Sequence, residues 1–361
     1  MKYLKIYEDF NGLETKVRNF CKKHNIDFST IKIENGVVNV DGDVYLNGKS
    51  LKTLPFKFGI VEGNFHASGN LFEKLKNFPD VVGGDFIISD NKLKSLVGGP
   101  YSVGYEFDCS HNGLTSLVGG PKYVGENYVC KNNDLLTLEG APEVVNRSFI
   151  CKENQLQSLE FSPREVKGYF DCSENSIKSL VGGPNTDNAY NCQYNMLSTL
   201  EGVPRVVNTL YCGNNHLTTL KGGPEVIYQT LHCGWNRELK TLDGIPKKLV
   251  TLKCDNCIEL YKIDGLEEAE NFNFTQTPFD IIWNLVGKSI VEKPNLFSLF
   301  QEYEIIRDPG YDGEVSMVEC LYKNGKMVPQ PIIILDRLNS FLEECGLETV
   351  EESDIPYYKC I

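Results

Sequence analysis

The chain has 361 residues, 41% of them hydrophobic and 24% charged, the composition of a soluble globular protein. Its formal net charge of −13 repels phosphate backbones and anionic headgroups, which sets aside nucleic acid and membranes as partners. No run of about 18 apolar residues occurs, and the opening MKYLKIYEDFNGLE lacks the apolar core of a signal peptide, so a cytoplasmic chain is expected.

Residues 1–42 read as an N-terminal cap. NGLETKVRNFCKKHNI has the spacing of an amphipathic helix, and STIKIENGVVNVDGDVYL that of two strands turning at Asn35-Gly36. From residue 43 to about 275 one motif recurs, seen plainly in FDCSHNGLTSLVGGP (107–121). Asparagines keep the beat: Asn91, Asn112, Asn133, Asn154, Asn175, Asn195, Asn215 and Asn236, with Cys257 at the next position. Five residues before each asparagine stands an aromatic or leucine, such as Phe107 or Leu210. Three before stand Cys109, Cys130, Cys151, Cys172, Cys192, Cys212, Cys233 and Cys254. Leucines follow two and five residues after, and Gly-Gly-Pro or a variant ends many copies.

Alternation at minus five and minus three predicts a short strand with one buried face. The full pattern, apolar-x-apolar-x-x-Asn-x-Leu, is the leucine-rich-repeat signature. The expected fold is an α/β repeat solenoid of about eleven coils of 20–21 residues. It would carry a parallel β-sheet on its concave face, a turn-like convex face without long helices, and helical or hairpin caps at both ends. A single coil cannot bury enough apolar surface to offset its chain entropy, so the unit has to be stacked. Each asparagine is expected to turn the chain inward and bond backbone groups left over at the bend. The thiol of Cys257 would do so weakly.

The cysteines admit three readings. They fill the narrow interior as small hydrophobes, or stack as disulfides, or supply metal or redox chemistry at Cys254-Asp-Asn-Cys257. The first is preferred, because the thiols follow the structural period and do not come in pairs. No catalytic group, metal or cofactor is called for. All five histidines lie upstream of residue 276, so neither the cysteines nor the serines of 276–361 have a local histidine base.

Residues 276–361 read as a small α+β C-terminal cap or domain. PFDIIWNLVG and PNLFSLFQEYEII look like short helices, and VSMVECLYKNGKMV like a hairpin turning at Asn324-Gly325. PIIILDRLNSFLEECG reads as a helix with Ile334, Leu338, Phe341, Leu342 and Cys345 on one face.

Variation between copies marks the candidate binding residues, because the strand positions between the buried rows face outward. Tyr169, Asp171, Asn191, Tyr194, Tyr211, His232, Trp235 and Lys253 gather toward the C-terminal half, next to Gly213 and Gly234. Aromatics beside small residues suit a protein hot spot. Val129 with Ile150 is a weaker apolar candidate.

Units such as FDCSHNGLTSLVGGPKYVGENYVCKNN, the opening MKYLKIYEDFNGLE and the tail FDIIWNLVGKSIVE are similar to cysteine-containing leucine-rich-repeat proteins of tailed bacteriophages. That resemblance implies a viral protein in the cytoplasm of an infected bacterium or on the virion, with a host or phage protein as partner. A more distant resemblance is to bacterial leucine-rich-repeat effectors joined to a ubiquitin ligase, whose Cys-x-Asp signature is absent here. The expected function is therefore a non-catalytic protein–protein interaction module using the concave face. The alternative is a structural, virion-associated spacer attached through its C-terminal block.

Overall fold

The structure is a computed structural model that describes residues 2–263, 265–266, 268–277, 279, 306–307, 320–323, 326–329, 332–344, 348–354 and 359–360. The two helices expected between 278 and 306, Cys345 and the Asn324-Gly325 turn itself lie outside these residues. The chain forms two compact units, one of residues 1–177 with 181–191 and one of residues 178–180 with 192–361.

The N-terminal unit opens with the helix Lys2–His24, longer than its apolar spacing suggested. Val17, Phe20 and Cys21 recur at helical spacing and are buried. Phe20 meets Phe56 edge-on at 5.2 Å and reaches Phe58 at 6.3 Å, so the helix lies against the first coils. Its end is closed by Asn25 at φ 57° and the Ile26 N–H bonded to the Cys21 carbonyl at 3.0 Å, a Schellman stop. The strands Ile31–Glu34 and Val37–Val40 pair antiparallel. Asn35 and Gly36 both adopt positive φ, 51° and 79°, as a two-residue type I′ hairpin requires.

Eight short parallel strands then follow, from Val44–Tyr45 through Phe107–Asp108 to Ala189–Asn191, one per coil. Their inner residues stack in register. Phe65, Phe86, Phe107, Tyr128, Phe149, Phe170 and Tyr190 form a column with ring centroids 4.7 to 6.2 Å apart. Cys109, Cys130, Cys151 and Cys172 lie in the next column and are fully buried.

The asparagine ladder is as the repeat requires. Asn112 donates its side-chain amide at 3.1 Å to the carbonyls of Ile88 one coil earlier and of Cys109 and Ser110 in its own coil. Its Oδ1 accepts from the Leu93 N–H at 3.0 Å. One side chain thus ties two coils, and Asn91, Asn133, Asn154 and Asn175 repeat the arrangement.

A second sheet accompanies the first. Val82, Val103, Val124, Val145 and Val166, nine residues before each asparagine, are buried in short strands of their own. Four coils continue the hairpin as one sheet, through Phe58–Val61, Val81–Val82, Ser102–Val103 and Tyr123–Val124, and the strands Val144–Val145 and Glu165–Val166 pair separately. Glycines divide the two strands in several coils, whereas Asn146-Arg147-Ser148 lie between Val144–Val145 and Phe149–Ile150. A Cβ on Gly104 or Gly125 would run into the carbonyl oxygen of the glycine one coil before, Gly83 or Gly104. Beside them runs a further polar ladder, in which Asp43, Asn64 and Asp85 each accept the N–H one coil on, at 2.7 to 3.0 Å.

In the C-terminal unit those glycines give way to Asn208-Thr209, Tyr228-Gln229-Thr230 and Val250-Thr251. Residues that favour extended backbone let the two strands fuse, giving Val206–Tyr211, Val226–His232, Lys248–Lys253 and Glu268–Asn273 in one parallel sheet. Leu210, Leu231 and Leu252 replace the aromatic column, and Asn215 and Asn236 continue the ladder. At Cys257 only the donor half survives. Its thiol reaches the Cys233 carbonyl at 3.5 Å where Asn236 reaches that of Cys212 at 3.1 Å.

Further along, Cys320–Lys323 and Lys326–Pro329 form the expected hairpin arms. Leu338, Phe341 and Leu342 are the buried face of the helix Leu335–Glu344, with Ile334 half-buried just before it. Asn339 pins the later chain by bonding both the N–H and the carbonyl of Val350, at 2.8 and 3.0 Å.

Candidate protein-recognition face

Each coil turns at the residue just before its asparagine, and that residue takes a left-handed conformation throughout. Asp90, His111, Asn132, Glu153, Glu174, Tyr194, Asn214, Trp235 and Asn256 all have φ between 52° and 63°. Side chains at this corner point away from the core. Tyr194 is 55% exposed and Trp235 41%, with the Arg237 guanidinium 5.7 Å from the indole centroid.

Beside this corner, within the C-terminal unit, the strand face forms a trough floored by Gly213 and Gly234, both buried. Two long polar side chains lie across it. Gln193 Nε2 is 3.1 Å from His232 Nδ1, although the residues are 39 positions apart. Asp255 Oδ1 stands 3.8 Å from His232 Nε2 on the other side. The glycines make both approaches possible, since a Cβ at Gly213 would come within 3.2 Å of Gln193 Nε2 and one at Gly234 within 2.7 Å of Asp255 Oδ1. An amide N–H donates, so Nδ1 accepts and the imidazole proton sits on Nε2, facing the carboxylate. Burial pushes the His232 pKa down, the Asp255 carboxylate partly opposes this, and Lys253 adds to it. Tyr211 packs edge-on against His232 at 6.3 Å, and Lys253 is the next, exposed neighbour in register.

The other candidates lie in the N-terminal unit and form a closed network. Tyr169 donates to Asp171 Oδ2 at 3.0 Å and accepts from Asn191 Nδ2 at 2.9 Å. Asp171 is buried, its Oδ1 taken by the Ser173 N–H and hydroxyl at 3.0 and 2.6 Å. Val129 is buried and Ile150 half-buried. The candidates thus fall into two local groups, and of the two only the group in the C-terminal unit presents large exposed aromatics, Tyr194 and Trp235. Gln193 and Asp255 were not among the expected binding residues. The signal for them was the pair of glycines in their row.

The cysteines carry no such surface. Cys21, Cys109, Cys130, Cys151, Cys212, Cys233, Cys254 and Cys257 are buried thiols outside any disulfide. Burial pushes the thiols of Cys109, Cys130, Cys151, Cys212, Cys254 and Cys257 well up, which holds them protonated. Among the described residues no group of three or more His, Cys, Asp or Glu could hold a metal ion. No helix among them is long and apolar enough to cross a membrane.

Coils stacked through parallel strands, an asparagine ladder closed by Cys257 and leucines at fixed offsets define a leucine-rich-repeat solenoid. No family model matches the chain. No curated protein matches it either. Among solved structures it is similar to YopM from Yersinia enterocolitica WA-314, at 16% identity and a TM-score of 0.40, with 65% of this chain and 64% of that chain covered. The match spans less than two thirds of that protein's length. The fold class stands on the register and the ladder, independently of this likeness.

Proposed function

We propose that the chain is a non-catalytic protein-recognition module and that its partner engages the trough around His232. On this reading residues 1–42 cap the repeats, 43–275 present the binding face, and 276–361 form a C-terminal cap or domain. The observation that carries the reading is the pairing of Tyr194 and Trp235, bulky exposed aromatics held in a left-handed corner, with a glycine-floored trough beside them. Most other coils place Gly, Asn, Asp, Glu or His at that corner. Gln193 and Asp255 hold His232 in one orientation, so the surface is pre-organised and loses little entropy on binding. Tyr211, His232, Trp235 and Lys253 supply aromatic, hydrogen-bonding and cationic groups of the kind that dominate protein hot spots. The resemblance of the repeats to phage proteins supports a host or phage protein as that partner, met in the bacterial cytoplasm or on the virion.

The test is affinity capture from infected cells with the native chain and with a Tyr211→Ala, His232→Ala double variant, followed by mass spectrometry. One dominant protein retained by the native chain and lost by a variant of unchanged melting temperature is the expected result. Equal capture by both overturns the site.

A further inference from the structure

A second exposed aromatic breaks the repeat rule at a different place. After the second leucine of each coil the chain makes a tight turn closed by a bond from residue i+3 to the leucine carbonyl. Gly99 to Leu96, Gly120 to Leu117 and Ala141 to Leu138 are examples, at 3.1, 2.9 and 2.9 Å. The third residue of that turn has positive φ, the requirement of a type II turn that glycine or asparagine meets. Asn77, Gly98, Gly119, Gly140, Gly182, Gly202, Gly222, Gly244 and Gly265 all comply, at φ 69° or above. In the coil between Gly140 and Gly182 the position is Phe161, at φ 63° and 56% exposed. The turn itself is kept, with the Ser162 N–H on the Leu159 carbonyl at 3.1 Å.

Nothing in the fold calls for a phenylalanine there. Its ring is not buried, and a bulky side chain at positive φ is strained. Val181, 58% exposed, follows in the next coil, and glycines occupy the equivalent turn position on either side. Glu139, Glu143 and Glu160 are exposed here, with Arg164 drawn toward Glu165 at 4.0 Å and Lys122 Nζ on the Gly140 carbonyl at 3.4 Å, so carboxylates outnumber cations.

We propose that Phe161 is the anchor of a second docking surface, on the turn side of the N-terminal unit, for a basic peptide segment of a partner. An aromatic or long aliphatic residue of that segment would pack on Phe161 and Val181, and its Lys or Arg side chains would face Glu139, Glu143 and Glu160. Strain at an exposed position is the mark of a residue kept for contact and not for the fold. The net charge of the chain favours a cationic segment over a second copy of itself.

The experiment sets the full chain against Phe161→Gly and Phe161→Asn, which carry the residues found at this turn in the other coils. The probe is a random peptide display library, selected on each immobilised protein. The native chain should enrich peptides that pair a bulky apolar residue with Lys or Arg, bound about tenfold more weakly by both variants. The melting temperatures of both variants should equal or exceed that of the native chain. Three results overturn the proposal: enrichment that does not depend on residue 161, a lower melting temperature in Phe161→Gly, or sedimentation showing a native dimer that the variants lose. The second would make Phe161 a packing residue, and the third would make the occupant a second copy.

Discussion

At the scale of single residues the repeat separates two kinds of polar group. The ladder asparagines are spent on backbone, and amides such as those of Asn112, Asn133 and Asn215 bond carbonyls of two coils. His232 is held in a different way, by side chains from neighbouring coils, and it titrates. Its pKa is lowered by burial, so the folded chain takes up its proton at lower pH than the unfolded chain. Between the ordinary histidine value, about 6.5, and the lowered native one, the unfolded state binds more protons, so stability falls as pH falls through that window. His24, also lowered by burial and by Lys23 and Lys49, acts in the same direction. Denaturant midpoints measured from about pH 8 to about pH 5 should fall on the acid side, and His232→Gln should flatten part of that fall. An identical slope in the variant would mean that the clamp around His232 is not formed.

At the scale of the element, glycines accompany the division of a coil into two strands in several coils, although the coil of Val144–Val145 and Phe149–Ile150 divides across Asn146-Arg147-Ser148 without one. Glycines at 83, 104 and 125 bring successive coils so close that a side chain has no room, and they break the extended run between the two sheets. Where β-favouring residues replace them, the strand runs through from Val226 to His232. Two glycines of the same stretch should therefore respond differently to substitution. Gly104→Ala meets backbone and should destabilise by about 3 kcal/mol. Gly113→Ala meets only the end of the flexible Lys94 side chain and should cost less than about 1 kcal/mol. Urea unfolding of the two variants measures the difference, and equal losses would contradict the close coil approach at Gly104.

At the scale of the whole molecule, each of the two units is an array in which a coil rests on its neighbours, so its interior opens only when coils separate. The cysteine column reports on this. Cys109, Cys130 and Cys151 in one unit, and Cys212, Cys254 and Cys257 in the other, are buried and held as thiols by desolvation. Labelling by a thiol reagent, with peptides mapped by mass spectrometry, should leave these six unmodified in native buffer and modify them as denaturant unfolds each unit. Rapid labelling of Cys109 in native buffer would show an interior looser than this packing.

Much of this architecture is legible in the sequence. The beat of Asn112 and its counterparts, the buried cysteines, the leucines and the Asn35-Gly36 turn are local signals, each repeated or confined to a few neighbouring residues. A period of 20–21 residues is by itself an instruction to stack, and stacking yields the parallel strands and the ladder. The left-handed corner and the buried valine row were equally periodic, but their meaning lies in backbone angle and in a second sheet, which residue types alone do not display. The clamp on His232 depended on tertiary structure altogether. Gln193, His232 and Asp255 belong to different coils, and they meet only because the sheet sets those coils side by side and Gly213 and Gly234 leave the way open. The repeat determined the scaffold because its interactions recur at one fixed spacing. The site waited on the fold because its contacts run across the strands, between positions that the chain itself keeps far apart.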